Sequence, residues 1–277
     1  MKKRLLGVLL FGSGFLFAQT DIGLGYGYTD YDNSKTKIDG KTYDAEMRHR
    51  FDESLFTFHY ENSSADRIGT NPTLEIDKIS LLYRYDITTD VSLKGSYLTI
   101  NDNIAPTDDG KVYGLGFGYK FNEKLVGMVD YYHSDYKAFD VAQVDISLSQ
   151  IFKIGDVVSK VMLSAKKIDI DGTRYGNYGF KDKDYTTYGI NVSANYNGYI
   201  ATIGTMVGKR LFAVLEEGMR VQHHAVEQDK SYALSFGKKF KSSDVFVKYA
   251  YQNGDELPEN RKDVDTKTTS LNIIYKF

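Results

Sequence analysis

The chain carries five histidines and no cysteine. Without a thiol there is no Cys nucleophile, no disulfide and no thiolate metal site. Imidazole chemistry needs a hydroxyl or a carboxylate held within hydrogen-bond reach. His133 is followed directly by Ser134, but neighbours in an extended chain point to opposite faces, so the two form no dyad. His223 and His224 precede Glu227. They make a weak metal-ligand set, and adjacent histidines in a connection read more readily as solvated side chains. His49 and His59 complete the five. The stretch 169–172 begins like a calcium loop and lacks the remaining ligands. The glycine-rich stretches 23–27 and 114–118 have no helix after them to hold a phosphate. These residues therefore specify no catalytic set, no metal and no cofactor.

The basic side chains are the larger chemical resource, and what they do depends on the elements that place them. Residues 1–18 are the first such element. Lys2, Lys3 and Arg4 precede an apolar stretch from Leu5 to Phe17, and Ala18 is small. This is the pattern of a secretory signal peptide, cleaved near Ala18, with residues 19–277 as the mature domain. Removing it leaves 32 Lys and Arg against 37 Asp and Glu, a net charge of −5. A chain of that balance is no nucleic-acid binder. No later stretch is long and apolar enough for a transmembrane helix.

Period two dominates the rest. Thr269, Leu271, Ile273, Tyr275 and Phe277 share one face, and Ser270, Asn272, Ile274 and Lys276 share the other. Ile22, Leu24, Tyr26 and Tyr28 alternate with glycines and Thr29. The same holds for Tyr113–Phe121 and Tyr188–Tyr196. Alternation is the signature of a strand with unlike faces. It predicts about fourteen strands, with twelve or sixteen as alternatives. Connections alternate between short and long, and all three prolines (Pro72, Pro106, Pro258) fall in long ones. Asn197-Gly198 is a two-residue hairpin signal.

A soluble sandwich would turn the apolar face inward. A membrane barrel turns it outward and keeps the polar face for the lumen. The second face here carries Arg48, Arg50, Lys94, Asp130, Asp145, Lys160 and Lys248, together with many glycines. The fold expected is all-β: one antiparallel up-and-down transmembrane β-barrel. In this pattern the chain resembles the Gram-negative outer-membrane β-barrel proteins, porin-like in architecture. The resemblance covers the whole mature chain. Its one specific motif is the terminal strand ending in Tyr275-Lys276-Phe277, similar to the class's assembly signal. It implies that Leu271, Ile273, Tyr275 and Phe277 are read by the outer-membrane barrel assembly machinery. It further implies outer-membrane lipid and lipopolysaccharide as surroundings, and small solutes as cargo.

Fourteen strands about 4.8 Å apart and tilted by ~40° give a backbone diameter of ~28 Å. Side chains reduce that to a lumen of ~15 Å unless loops fill it. Alternation places Arg48, Arg50, Lys78, Arg84, Lys94, Lys120, Lys160, Lys166, Arg210, Lys239, Lys248 and Lys276 inward, against Asp44, Glu46, Asp130 and Asp145. A wall with that excess favours anions, unless the bases pair with acids across it.

The function expected is a passive channel for small hydrophilic solutes with an anion preference, and not an enzyme. Two alternatives remain open: a lipid or peptide hydrolase on a barrel scaffold, and a surface adhesin acting through its long loops. The connection 209–230 is the longest, with an apolar run 211–215 before Glu216-Glu217-Gly218. It either folds inward to narrow the pore or projects outside as a hairpin. The hairpin is favoured, because its flanks can continue as strands.

Overall fold

The computed structural model describes residues 19–104, 106–171, 183–257 and 261–277. The expected signal peptide, Pro258 and Gly172 of the acidic stretch lie outside them. Fourteen long strands form the wall. The first seven are β1 (Gln19–Asp32), β2 (Lys37–Phe51), β3 (Ser54–Arg67), β4 (Leu74–Asp86), β5 (Val91–Asp102), β6 (Gly110–Asn122) and β7 (Leu125–Asp135). Then follow β8 (Asp140–Ile154), β9 (Val157–Asp171), β10 (Lys183–Tyr196) and β11 (Tyr199–Arg210). After two short strands, β12 (Val214–Leu215) and β13 (Arg220–Val221), come β14 (Val226–Lys239), β15 (Ser243–Glu256) and β16 (Arg261–Lys276).

Each long strand pairs antiparallel with its neighbour, and β1 pairs with β16, so the sheet closes on itself with no free edge. Closure satisfies every ladder N–H and C=O within the wall, which a sheet crossing hydrocarbon requires. The register at closure sets Ile22 against Tyr275, Leu24 against Ile273 and Tyr26 against Leu271. These apolar rows face outward. Leu24, Tyr26, Tyr83, Leu115, Phe117, Tyr131, Ile203, Phe236, Leu271 and Tyr275 are all exposed on the outer surface. Burying such a surface in lipid, not in a protein core, is what gives it a place. Asn197 and Gly198 both adopt positive φ (50° and 81°), as a tight hairpin turn demands.

The connection between β11 and β14 overturns the favoured external hairpin. Residues 211–225 turn inward and cross the lumen. A bulge between Val207 and Arg210 re-aims the chain. Gly208 sits there at φ 101°, and a Cβ at that position would lie 2.4 Å from the Thr186 carbonyl oxygen. Thr187 Oγ1 donates to the freed carbonyls of Gly208 (3.3 Å) and Lys209 (3.0 Å). Inside, β12 and β13 pair around a 3-10 turn at Glu216–Gly218.

The inward segment docks because part of the lumen face is apolar. Ile76, Leu98, Ile100, Val112, Tyr132, Ile168 and Ile170 point inward from β4–β9, toward the long-loop end. Leu211, Phe212, Ala213 and Val214 pack into them and are almost wholly buried. Phe212 contacts Phe139 at 4.6 Å and Tyr136 at 6.0 Å between ring centroids. Burial of each large apolar side chain contributes roughly 2 kcal/mol. The empty ~15 Å lumen is thus not found, because the inward segment occupies part of it.

Candidate solute path through the barrel

Alternation places the expected lumen residues on the inner face, but their partners change what they do. The sequence count recognised four inward acids. The inner surface holds further ones: Glu61 on β3, Asp244 on β15, and Glu216 and Glu217 on the inward turn. Lys78 donates to Glu61 (2.6 Å), Lys94 contacts Asp130 (2.8 Å) and Glu217 (3.3 Å), and Arg84 pairs with Glu217. Lys166 pairs with Asp145, and Lys276 donates to Asp244 (2.6 Å). Arg48 Nε lies 2.6 Å from Glu46. Arg210 is only 2% exposed and lies where β11 leaves the wall, so it lines no water path. Of the two readings of the basic excess, pairing across the wall accounts for most of these bases.

Arg50, Lys120, Lys160, Lys239 and Lys248 have no ion-pair partner within 4.0 Å among the described residues. The first four sit at the short-turn end of β2, β6, β9 and β14. They form a sparse cationic mouth. Lys248 lies deeper, on β15.

The inward segment is off-centre. It is held to β4–β9 by apolar packing and polar contacts. Ser80 Oγ donates to the Met219 carbonyl (2.7 Å), and Gln143 bonds both the N–H and the C=O of Val214 (2.8 and 2.9 Å). On its other flank Arg220 reaches Glu216 (3.1 Å), Asp44 (3.6 Å) and Glu61 (3.7 Å). The surrounding positive charge of Lys94 and Arg84 holds the Glu217 carboxyl below its ordinary value against the cost of burial. Arg220 and Lys248 do the same for Glu216.

What remains open is a cavity of about 540 Å³ between the segment and the wall β14–β15–β16–β1–β2–β3. A second cavity of about 330 Å³ at the short-turn end shares Gly23, Glu46, Arg48 and Ile274 with it. At the long-loop end the space narrows where Tyr31 Oη and His224 Nε2 hydrogen-bond at 2.9 Å. Gln228 and Gln252 bond at 2.6 Å beside them. Ser34, the Lys35 N–H and Lys37 all donate to Glu256 above this point.

His223 and His224 correct the solvated reading. Their rings lie 4.1 Å apart between centroids, tilted by 54°, half-buried against the larger cavity, and burial holds both well below the ordinary imidazole pKa. Glu227 is turned away from them, bound by Lys183 (2.9 Å), Lys209 (2.6 Å) and Tyr185 (2.7 Å). Among the described residues no three His, Asp or Glu converge as a metal site. His133 faces outward and Ser134 inward. Asp169 and Asp171 lie in β9, not in a loop. Leu271, Ile273 and Tyr275 lie on the outward face of β16, and Phe277 follows its last residue, exposed.

A closed fourteen-strand antiparallel wall with an aromatic, apolar exterior defines the fold of Gram-negative outer-membrane β-barrels. Solved structures agree. The chain is similar to a bacterial polysaccharide outer-membrane secretin, with TM-score 0.57 and 10% identity over 94% of this chain and 98% of that one. It is similar to the Acinetobacter baumannii outer-membrane protein Omp33 (TM-score 0.53, 9% identity, 94% and 99%). It is also similar to Pseudomonas aeruginosa OpdL (TM-score 0.50, 11% identity, 94% and 98%). No protein-family model and no curated protein sequence matches the chain.

Proposed function

We propose that this chain is a passive channel of the Gram-negative outer membrane for small hydrophilic solutes, with an anion preference set at its short-turn mouth. The observation that carries the reading is the pair of adjoining cavities along one wall, left open by a segment docked against the other. The neighbouring porin folds support it. In this reading residues 1–18 direct export and are removed near Ala18. Leu271, Ile273, Tyr275 and Phe277 engage the assembly machinery. The apolar belt faces lipid, with lipopolysaccharide around the long-loop end.

The anion preference rests on Arg50, Lys120, Lys160 and Lys239 at the mouth, because most of the other inward bases are paired with acids and the unpaired Lys248 lies deeper. At physiological ionic strength the Debye length is ~8 Å, so a mouth charge acts only on ions passing close to it. The expected selectivity is therefore modest. Refolded protein in planar bilayers under a KCl gradient should give a reversal potential of anion-selective sign. Changing all four bases to Gln should bring it toward zero. A non-conducting or cation-selective barrel overturns the reading.

A further inference from the structure

The inner wall repeats in rows, because antiparallel register sets one inward residue of each strand beside that of its neighbour, and the tilt of the strands makes each row climb obliquely around the wall. One row runs Ser235 (β14), Lys248 (β15), Ser270 (β16), Gly27 (β1), Thr42 (β2) and Ser63 (β3). All six line the larger cavity. The row holds one cation, four hydroxyls and one position without a side chain. Ser63 donates to Glu61 (3.1 Å) and so accepts from Thr42 (3.1 Å), which leaves both hydroxyls able only to accept.

The rows on either side differ. Toward the short turns the next row holds Asn272, Asp44, Glu61 and Lys78, with its acids engaged by Lys78 and Arg220. Toward the long loops the next holds Ala250, Thr268 and Thr29, and the two threonine hydroxyls bond each other at 2.9 Å. Lys248 is thus an inward-facing cation of this cavity with no carboxylate within 4.0 Å among the described residues, Glu216 on the inward turn lying further off along the same cavity. Its flanking serines, Ser235 and Ser270, one strand away on either side, set a hydroxyl beside it in each direction.

We propose that this row is a solute subsite for a carboxylate-bearing polyhydroxyl compound, a sugar acid of one or two rings. The carboxylate takes Lys248, the solute's nearer hydroxyls exchange hydrogen bonds with Ser235 and Ser270 on the flanking strands, and Thr42, across Gly27, accepts one from a second ring. Gly27 leaves the space a ring occupies. A charged ammonium bond gives such a solute an anchor that a neutral sugar lacks, and the hydroxyls give it partners that a simple carboxylate such as acetate cannot use. A cavity of about 540 Å³ lies within the range that encloses small ligands. This inference rests on the channel reading for its biological sense, but not for its geometry.

The test uses glucuronate, glucose and acetate as probes. Binding is read by calorimetry on the detergent-solubilised barrel, and flux by swelling of proteoliposomes. Glucuronate should bind more tightly than glucose or acetate. Lys248→Gln should weaken glucuronate by about tenfold, the loss of one charge-assisted hydrogen bond, and leave glucose unchanged. Ser270→Ala should weaken glucuronate and glucose but not acetate. Equal binding of all three probes, or a Lys248→Gln barrel that holds glucuronate as before, overturns the subsite. Binding without flux in any probe supports the subsite and removes the channel reading instead. Retained heat-modifiable migration of each variant on gels excludes misfolding as the cause.

Discussion

Arg220, on the segment that crosses the lumen, lies 3.6 Å from Asp44 on β2, its guanidinium also reaching Glu61 on β3. One side chain thereby fixes the free flank of the inward segment to the strands beside its apolar anchorage. Loss of this contact leaves carboxylates without their cation. The cost for a buried pair is about 3–5 kcal/mol. Here a third of the Arg220 side chain stays exposed, so about 2 kcal/mol is the better figure. Arg220→Ala should raise mean single-channel conductance and add slow transitions between levels. Planar-bilayer recording checks this, and an unchanged trace would show that the apolar docking alone holds the segment.

Gly218 closes the inward turn at φ 93°, and a Cβ there would lie 2.1 Å from Ser96 Oγ and 3.1 Å from the Tyr132 ring. Both backbone conformation and space therefore demand glycine. Gly218→Val should displace the turn without harming the wall. The expected result is larger conductance with undiminished resistance of the barrel to SDS at room temperature.

The segment should loosen in acid. Burial holds His223 and His224 well below the free value of 6.5, and Lys37 and Lys78 press in the same direction, while Glu61 partly opposes them at His224. Tyr31 approaches from β1 through its bond to His224. The docked state keeps both rings neutral, whereas the released state protonates them near pH 6.5. Docking is therefore at full strength above pH 6.5 and weakens as pH falls below it, by about 1.4 kcal/mol per unit and per ring. Glu216 and Glu217, held below 4.5, extend the loss at still lower pH, where their charged docked forms become protonated. Conductance should rise between pH 7 and 5, and His223→Gln with His224→Gln should flatten that rise.

Tyr275 lies on the outer face of the closing strand and Phe277 just beyond its end, both exposed. Phe277→Ala should lower the amount of heat-modifiable barrel recovered from outer membranes several-fold. Refolding of the same variant in detergent should proceed normally. Equal recovery would remove the assembly role.

Much of the wall was legible because strand periodicity is local. The alternation of Tyr113, Leu115, Phe117 and Tyr119 with glycines admits one face for lipid and one for the lumen. Glu61 was equally legible: Phe56, Phe58 and Tyr60 point outward, which sends Thr57, His59 and Glu61 inward. The docked segment was not. Its apolar run 211–215 fits an external hairpin or an inward turn alike, and the choice depends on a complementary surface assembled from β4–β9. A local signal for that surface exists in Ile76, Leu98, Ile100 and Ile168, apolar residues on the face that carries Lys78, Lys94 and Lys166. Charge compensation was hidden for the same reason, since Glu216 and Glu217 reach their bases only once the segment folds in.

The greasy half of the inner wall has a thermal consequence. Whenever residues 211–214 leave it, Leu98, Ile100, Phe139 and their neighbours become wetted, and wetting apolar surface raises heat capacity. Release and docking therefore differ in enthalpy by an amount that grows with temperature. Near room temperature the contact draws its strength chiefly from water entropy, and cooling weakens it. A barrel of this design becomes leakier in the cold.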